Sequence, residues 1–344
     1  MKRYRVGVVG IGAVGAEMIK VLRERNFPAE EIRVLARSSR DEEIAGEVFR
    51  VYEAKPEAFD GLDFAFFAGT EGAKGASQLF GWEAVRRGVI VIDNGDDFRM
   101  DPRVPLVIPE INADALRTHQ GFIANPNCST IIALMALGPL HRAFGIRRFV
   151  AATYQSVSGT GRDAIEELDD QVRAWVAGQP IRVSVYPHQI AFNVIPQIGG
   201  AKPQLPGFTS EEAKLLFETR KILGAKNIRV SATCVRVPVF YGHAEALHVE
   251  FEKPVTVDAA RAVLEKALGV KVVDDLAKSE YPFPLRVAGR DDVLVGRLRV
   301  DPSCDNGLAM FVAGDNIRKG AALNAVQIAE ALLADPVALR GARG

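Results

Sequence analysis

The stretch "YRVGVVGIGAVGAEMIKVLRER", residues 4–25, decides the fold of the first third of the chain. Its first six residues are a β-rich run that breaks into Gly10-Ile11-Gly12-Ala13-Val14-Gly15, and a helical pattern follows. G-x-G-x-x-G between a strand and a helix has a mechanism. The glycines permit a tight turn, let backbone N–H groups approach a pyrophosphate, and allow close helix–strand packing. The helix N-terminus adds partial positive charge. Gly10, Gly12, Ala13, Val14 and Gly15 are therefore the expected dinucleotide contacts.

Three further apolar runs, 62–68, 88–94 and 121–125, continue the pattern, with a helical stretch at 75–88 between the first two. Buried strands alternating with helices imply a parallel sheet covered on both faces, which binds ligands beyond the carboxyl ends of its strands. Asn94, Arg99 and Cys128 all follow strand ends and are expected to face that crevice. The second strand, 31–36, runs into Ala36-Arg37-Ser38-Ser39-Arg40, where an NAD site would place an acidic residue. Arginine and hydroxyl groups there suit a 2′-phosphate and argue for NADP through Arg37 and Ser38; plain surface charge is the alternative. Asp41, Glu42 and Glu43 are expected on a solvated turn or helix start.

The chain has 344 residues, enough for two domains. Its 43 basic and 43 acidic residues cancel, which points away from nucleic acid. No apolar window approaches the length of a membrane span. Three scattered cysteines suit neither a disulfide framework nor a metal site, so the expectation is a reducing, cytoplasmic setting without a metal. Cys128 stands where "STIIALMALGPLHRAF" begins a helix, and a helix N-terminus favours a thiolate and an oxyanion on a carbonyl it attacks. Cys234 and Cys304 read as small buried hydrophobes.

The blocks "ANPNCST", "TYQSVSGTG", "AFNVIPQI", "ETRKIL" and "GDNIRKGAALNAVQIAE", in that order over nearly the whole chain, resemble the aspartate-semialdehyde dehydrogenases. That family reduces aspartyl phosphate to aspartate semialdehyde with NADPH, releasing phosphate. The resemblance implies a thioester on Cys128, acid–base work by His243, and substrate orientation by Gln155. It also implies a carboxylate grip by Arg236, an ammonium partner in Glu218, phosphate binding by Arg99 and Lys221, and nicotinamide contacts from Ser158, Gly159 and Asn316. Residues alone leave the base undecided among five histidines. They also leave Arg236 open to a structural ion pair, and Lys214, Glu218 and Lys221 open to a solvated stripe of one helix.

The expected architecture is a Rossmann-type α/β nucleotide domain, 1–127 plus 319–344, with a second α+β domain, 128–318, around a mostly antiparallel sheet. A homodimer or homotetramer follows from the resemblance. Three blocks depart from the family: the shorter glycine loop, the displaced arginine after the second strand, and Gly95-Asp96 in place of two serines. Another acyl-phosphate reductase and a non-catalytic nucleotide-binding homologue are the rival readings.

Overall fold

The opening run forms β1 (Tyr4–Val9) and the pattern behind it forms α1 (Ala13–Glu24). Around β1 stand β2 (Ala29–Ala36), β3 (Arg40–Ile44), β4 (Glu47–Glu53), β5 (Phe64–Phe67), β6 (Ile90–Asp93) and β7 (Phe122–Ala124). They make a seven-stranded sheet in the order β3-β4-β2-β1-β5-β6-β7, parallel except for β3 against β4. Every residue of β5, β6 and β7 is buried, as strands covered on both faces require. The computed structural model describes residues 2–69 and 75–341. These fall into two units: residues up to Asn127 together with those from Ala321 onward, and Cys128–Gly320.

Two short helices, α2 (Trp82–Arg86) and α3 (Pro109–Asn112), belong to the first unit. So do α9 (Leu323–Ala334) and α10 (Pro336–Arg340) from the far end of the chain. Leu323, Val326, Ile328 and Leu332 of α9 share one core with Val6, Val8, Met18, Ile19 and Leu22. Each such side chain is worth roughly 1.5–3 kcal/mol on burial, so α9 is an integral wall of the nucleotide fold. Asp41, Glu42 and Glu43 do not form a turn or helix start: they lie in β3 at the sheet edge. There Arg50 pairs with Asp41 at 3.2 Å and Arg40 with Glu42 at 2.7 Å. The stretch 75–88 is helical as expected: a π-helical turn, Ser77–Gly81, runs straight into α2, and Gly81 passes so close to the Phe122 ring that a Cβ would stand 2.5 Å from it.

The second unit opens with α4 (Cys128–Phe144), β8 (Ile146–Gln155), α5 (Arg162–Val176) and α6 (Ser210–Ile222). It continues with β9 (Arg229–Arg236), β10 (His243–Phe251), α7 (Val257–Leu264) and β11 (Val270–Val272). It closes with α8 (Pro284–Val287), β12 (Val293–Val300) and β13 (Gly307–Gly314). Its sheet runs β11-β12-β13-β10-β8-β9. The three inner pairings are antiparallel and the two outer ones parallel. α4 is buried along nearly its whole length and packs on β8, β10 and β13, whereas α6 packs on β9. Among the described residues no helix is long and apolar enough to cross a membrane.

Alternation along the strands fixes what lies under those helices. In register, Thr153 stands beside Cys234 and Glu245, and Gln155 beside Arg236; His243 is two residues before Glu245. All six are buried, while Arg148, Tyr154 and His248 of the same strands are exposed on the opposite face.

Glu245 is fully buried, and neither of its carboxylate oxygens has a hydrogen-bond partner among the described residues. Burial first, and then the charge of Glu211, hold its pKa well above the usual carboxylate value. The carboxyl is thus neutral in the fold and ionised in the unfolded chain above its ordinary pKa. Stability is complete at low pH and lost as pH rises toward the folded-state value, by at most about 1.4 kcal/mol per pH unit. Glu245→Gln is expected to match the parent near pH 4 and exceed it in denaturant midpoint at pH 8. Equal midpoints at pH 8 would show that the carboxylate has found a counter-charge.

Candidate functional site

Cys128 is the first residue of α4. Pro126 keeps the residue before it out of helical geometry, and Asn127 occupies the N-cap position, so the helix starts at the thiol. The sulfur issues from the positive end of a core helix. One turn on, Ile132 lies against Gly314, and Gly314 is the β13 partner of His243. Gly320 comes up against Cys128 itself: a Cβ on Gly320 would stand 2.9 Å from Cys128 Cβ.

His243 begins β10 and is fully buried. Its Nδ1 accepts the Ser156 backbone N–H at 3.1 Å, with Ser156 Oγ at 3.0 Å. Nε2 has no hydrogen-bond partner among the described residues. Burial first, then the Arg236 guanidinium, depress the imidazole well below its ordinary pKa. The ring is therefore neutral near pH 7, and with Nδ1 accepting, the proton sits on Nε2.

Arg236 ends β9 and is also buried. Its Nη1 donates to the Ser156 carbonyl at 2.7 Å, Nε lacks a partner, and no carboxylate pairs with it among the described residues. A structural ion pair is thus not what holds it. A buried guanidinium without a counter-ion is costly until an anion supplies one. Gly159 marks where the two side chains converge: a Cβ there would stand 2.9 Å from Arg236 Nη1 and 3.1 Å from His243 Nε2. Gln155, in register with Arg236, gives its amide to Thr153 Oγ1 at 3.2 Å.

Asn316 turns inward. Its Oδ1 accepts from Ser156 Oγ at 3.1 Å, Ser158 Oγ at 3.2 Å and Gly242 N–H at 3.0 Å, and its Nδ2 reaches Ser158 Oγ at 3.0 Å. The structure thus gathers Cys128, Gln155, Ser158, Gly159, Arg236, His243 and Asn316 into the second unit. Glu218 and Lys221 sit on α6, which the Thr209–Glu212 capping box starts as the spacing predicts. The face they share with Lys214 is not a solvated stripe: Glu218 is buried, because α6 lies on β9 and against α4.

In the first unit Gly10 adopts φ +92° where a Cβ would meet Gly69 at 2.8 Å, and Gly15 runs so near the Gly10 carbonyl that any side chain is excluded. The turns after β1 and β5 therefore abut at the point where the strand order reverses. Gly12 caps α1 without a side-chain bond, the first turn holds no acid, and the space a Cβ of Gly12 would fill is open. That cradle of N–H groups fits a pyrophosphate. Arg37 and Ser38 are exposed past the end of β2, beside this turn, since Gly10 N–H bonds to Leu35 O at 2.8 Å. Arg40 is engaged with Glu42 instead. Arg99 is buried, donating to Asn125 O at 2.9 Å and Asn94 O at 2.7 Å, past the ends of β7 and β6.

The two halves answer to two family descriptions. Residues 5–119 match a semialdehyde dehydrogenase NAD-binding domain and residues 137–319 a semialdehyde dehydrogenase dimerisation domain. A curated aspartate-semialdehyde dehydrogenase of Aquifex aeolicus is 48% identical over 340 residues, covering 96% of this chain and 98% of its own. The chain belongs to the aspartate-semialdehyde dehydrogenase family. One structure in that family, aspartate semialdehyde dehydrogenase II of Vibrio cholerae complexed with ASA, superposes with a TM-score of 0.91 at 42% identity, over 97% of this chain and 99% of its own. The Candida albicans aspartate semialdehyde dehydrogenase solved with NADP gives 0.73 at 25% identity, over 98% and 100%.

Beside the residues that carry the family resemblance, the structure brings in three that sequence reading passed over. Ser156 touches the histidine and Gly320 the cysteine. Asp93 is buried at the end of β6 with Ser77 Oγ at 2.6 Å, and burial lifts it to about 6. No motif flags a serine, a glycine or a strand-end acid. Cys304 departs from expectation: only partly buried, it lines a cavity of about 170 Å³ with Arg148, His248 and Asp301. Cys234 is buried, and burial pushes its thiol beyond titration at ordinary pH. Substoichiometric iodoacetamide at pH 7.5 is expected to label Cys128 first, leaving Cys234 untouched, as read by peptide mass spectrometry. Earlier labelling at Cys234 would contradict the site geometry.

Proposed function

We propose that this chain catalyses the NADPH-dependent reductive dephosphorylation of L-aspartyl 4-phosphate to L-aspartate 4-semialdehyde through a thioester on Cys128. The observation that carries this reading is the buried guanidinium of Arg236, without a counter-ion among the described residues, converging with His243 at Gly159, in the unit whose helix α4 begins at the thiol. A carboxylate-bearing substrate supplies the missing anion, and the relatives named for this semialdehyde supply its identity.

Each residue then has a task its chemistry suits. Cys128 Sγ attacks the acyl carbon and the C–O bond to phosphate breaks, leaving the acyl group on sulfur. Arg99 in the first unit and Lys221 in the second are assigned phosphate binding. Arg236 takes the α-carboxylate bidentately, Glu218 the ammonium, and Gln155 orients the acyl group without competing as a base. The glycine turn, with Arg37 and Ser38 toward the 2′-phosphate and Ser158 and Gly159 toward the nicotinamide, would hold NADPH, which would supply the hydride. His243 Nε2–H hydrogen-bonds the oxygen that gains charge as the carbonyl becomes tetrahedral, and manages the proton as aldehyde leaves and the thiol re-forms. The dimerisation-domain match supports a second copy of this chain as partner, as a dimer or a tetramer. The cytoplasm is the proposed location.

The test is phosphate-dependent reduction of NADP and of NAD by the purified protein given L-aspartate 4-semialdehyde. Turnover is expected with the parent, none with Cys128→Ser, and a KM for the semialdehyde raised roughly a hundredfold in Arg236→Ala. Arg37→Ala should lower the preference for NADP over NAD about tenfold. Folded parent that binds nucleotide yet reduces neither cofactor would end the substrate assignment.

A further inference from the structure

One turn, Asp315–Gly320, abuts Cys128 at one end and at the other bonds Ser156 and Gly242, the residues that flank His243. Its own shape is fixed from within. Asp315 Oδ1 accepts the Ile317 and Arg318 N–H groups at 2.8 and 2.9 Å, Oδ2 accepts Gly289 N–H at 2.7 Å, and the Asp315 carbonyl accepts Gly320 N–H at 2.9 Å. Asp315 is buried, and Arg318 is further tied to Asp291 at 2.7 Å. Such a turn has little freedom to move its two ends independently.

From one end, Asn316 Oδ1 gathers Ser156 Oγ, Ser158 Oγ and Gly242 N–H. Ser156 is the residue that contacts His243 Nδ1 twice, and Gly242 immediately precedes His243. From the other end, Gly320 abuts the thiol residue: a Cβ would stand 2.9 Å from Cys128 Cβ and 3.4 Å from its Cα. At 2.9 Å one of the two must shift, and Cys128 is the first residue of a core helix whose following turns are locked by packing.

We infer that Gly320 and Asn316 are positioning residues, one setting the direction of the Cys128 thiol and the other, through Ser156, the ring of His243, so that a single turn fixes both partners of the proposed acyl-transfer chemistry. This rests on the proposed function only for its turnover arm; the thiol arm stands by itself. It also gives Asn316 a task distinct from the nicotinamide contact implied by family resemblance, since all its polar side-chain atoms are engaged inside the second unit.

The experiment uses the full-length protein with Gly320→Ala and Asn316→Ala. The first readout is the iodoacetamide alkylation rate of Cys128 without cofactor, by peptide mass spectrometry. The second is kcat and KM for NADP and semialdehyde. Thermal midpoints accompany both. Gly320→Ala is expected to change the alkylation rate at least several-fold and to lower kcat roughly a hundredfold, the scale of an ångström misplacement, with KM for NADP unchanged. Asn316→Ala is expected to lower kcat, again with KM for NADP unchanged, and to leave alkylation of Cys128 near the parent rate. Parent-like alkylation and kcat in Gly320→Ala overturn the cysteine half of the inference. A raised KM for NADP with kcat retained in Asn316→Ala overturns the histidine half and makes Asn316 a cofactor contact. If Gly320→Ala does not fold, Asp315→Asn, which loosens the same turn, takes its place: parent-like alkylation and kcat there also overturn the inference. Parent protein inactive on the semialdehyde but with altered alkylation in Gly320→Ala would instead sink the substrate assignment and leave the thiol positioning intact.

Discussion

A guanidinium held inside protein with no carboxylate beside it among the described residues is the constraint around which the second unit is arranged. Arg236 has one carbonyl, that of Ser156, on Nη1, and its Nε has no partner among the described residues. Leaving such a cation buried is tolerable only where the fold is over-determined about it. The backbone of Arg236 is accordingly pinned on both sides, to Ile195 by two hydrogen bonds of 2.9 Å and to Gln155 by strand register. The same cation depresses the neighbouring imidazole. Burial is the larger cause of the neutrality of His243, and the Arg236 charge adds to it.

Strand alternation does the rest of the placing. Because side chains on a strand change face at every residue, Gln155, Arg236 and His243 need only the correct register to share a surface. The parallel pairing of β8 with β9 sets two of them side by side although 80 residues of chain lie between, including α5 and α6. The antiparallel pairing of β8 with β10 brings the third. In the first unit the equivalent constraint is the close approach of two glycine-bearing turns, after β1 and β5, where no side chain fits.

Legibility in the sequence followed the range of the signal. The six residues of β1, the glycine turn and the start of α1 are a local pattern, and they could be read as such. So could the Thr209–Glu212 cap, because its atoms lie within one helical turn. The strand Arg40–Ile44 could not, since "RDEEI" has the composition of a solvated turn and becomes a strand only because β4 pairs with it. The burial of Glu218 was equally hidden: helical spacing shows which residues share a face, not which face another element covers. Resemblance nominated Cys128, His243, Arg236 and Asn316. The contacts of Ser156, Asn316 and Gly320 around the histidine and the cysteine were not readable, because they exist only as distances between remote segments.

The membership of α9 in the first unit bears on how the molecule is made. A ribosome delivers the glycine turn, β1 and α1 early, yet Leu323, Val326 and Leu332, which share their core, arrive after the whole of the second unit. The nascent first unit must carry an uncovered apolar surface throughout that interval, whereas Cys128–Gly320 leaves the tunnel as one contiguous segment. Vectorial synthesis therefore favours completion of the later-encoded unit first. Closure of the earlier one then waits on α9, and premature termination anywhere before residue 323 leaves a nucleotide fold with an open wall.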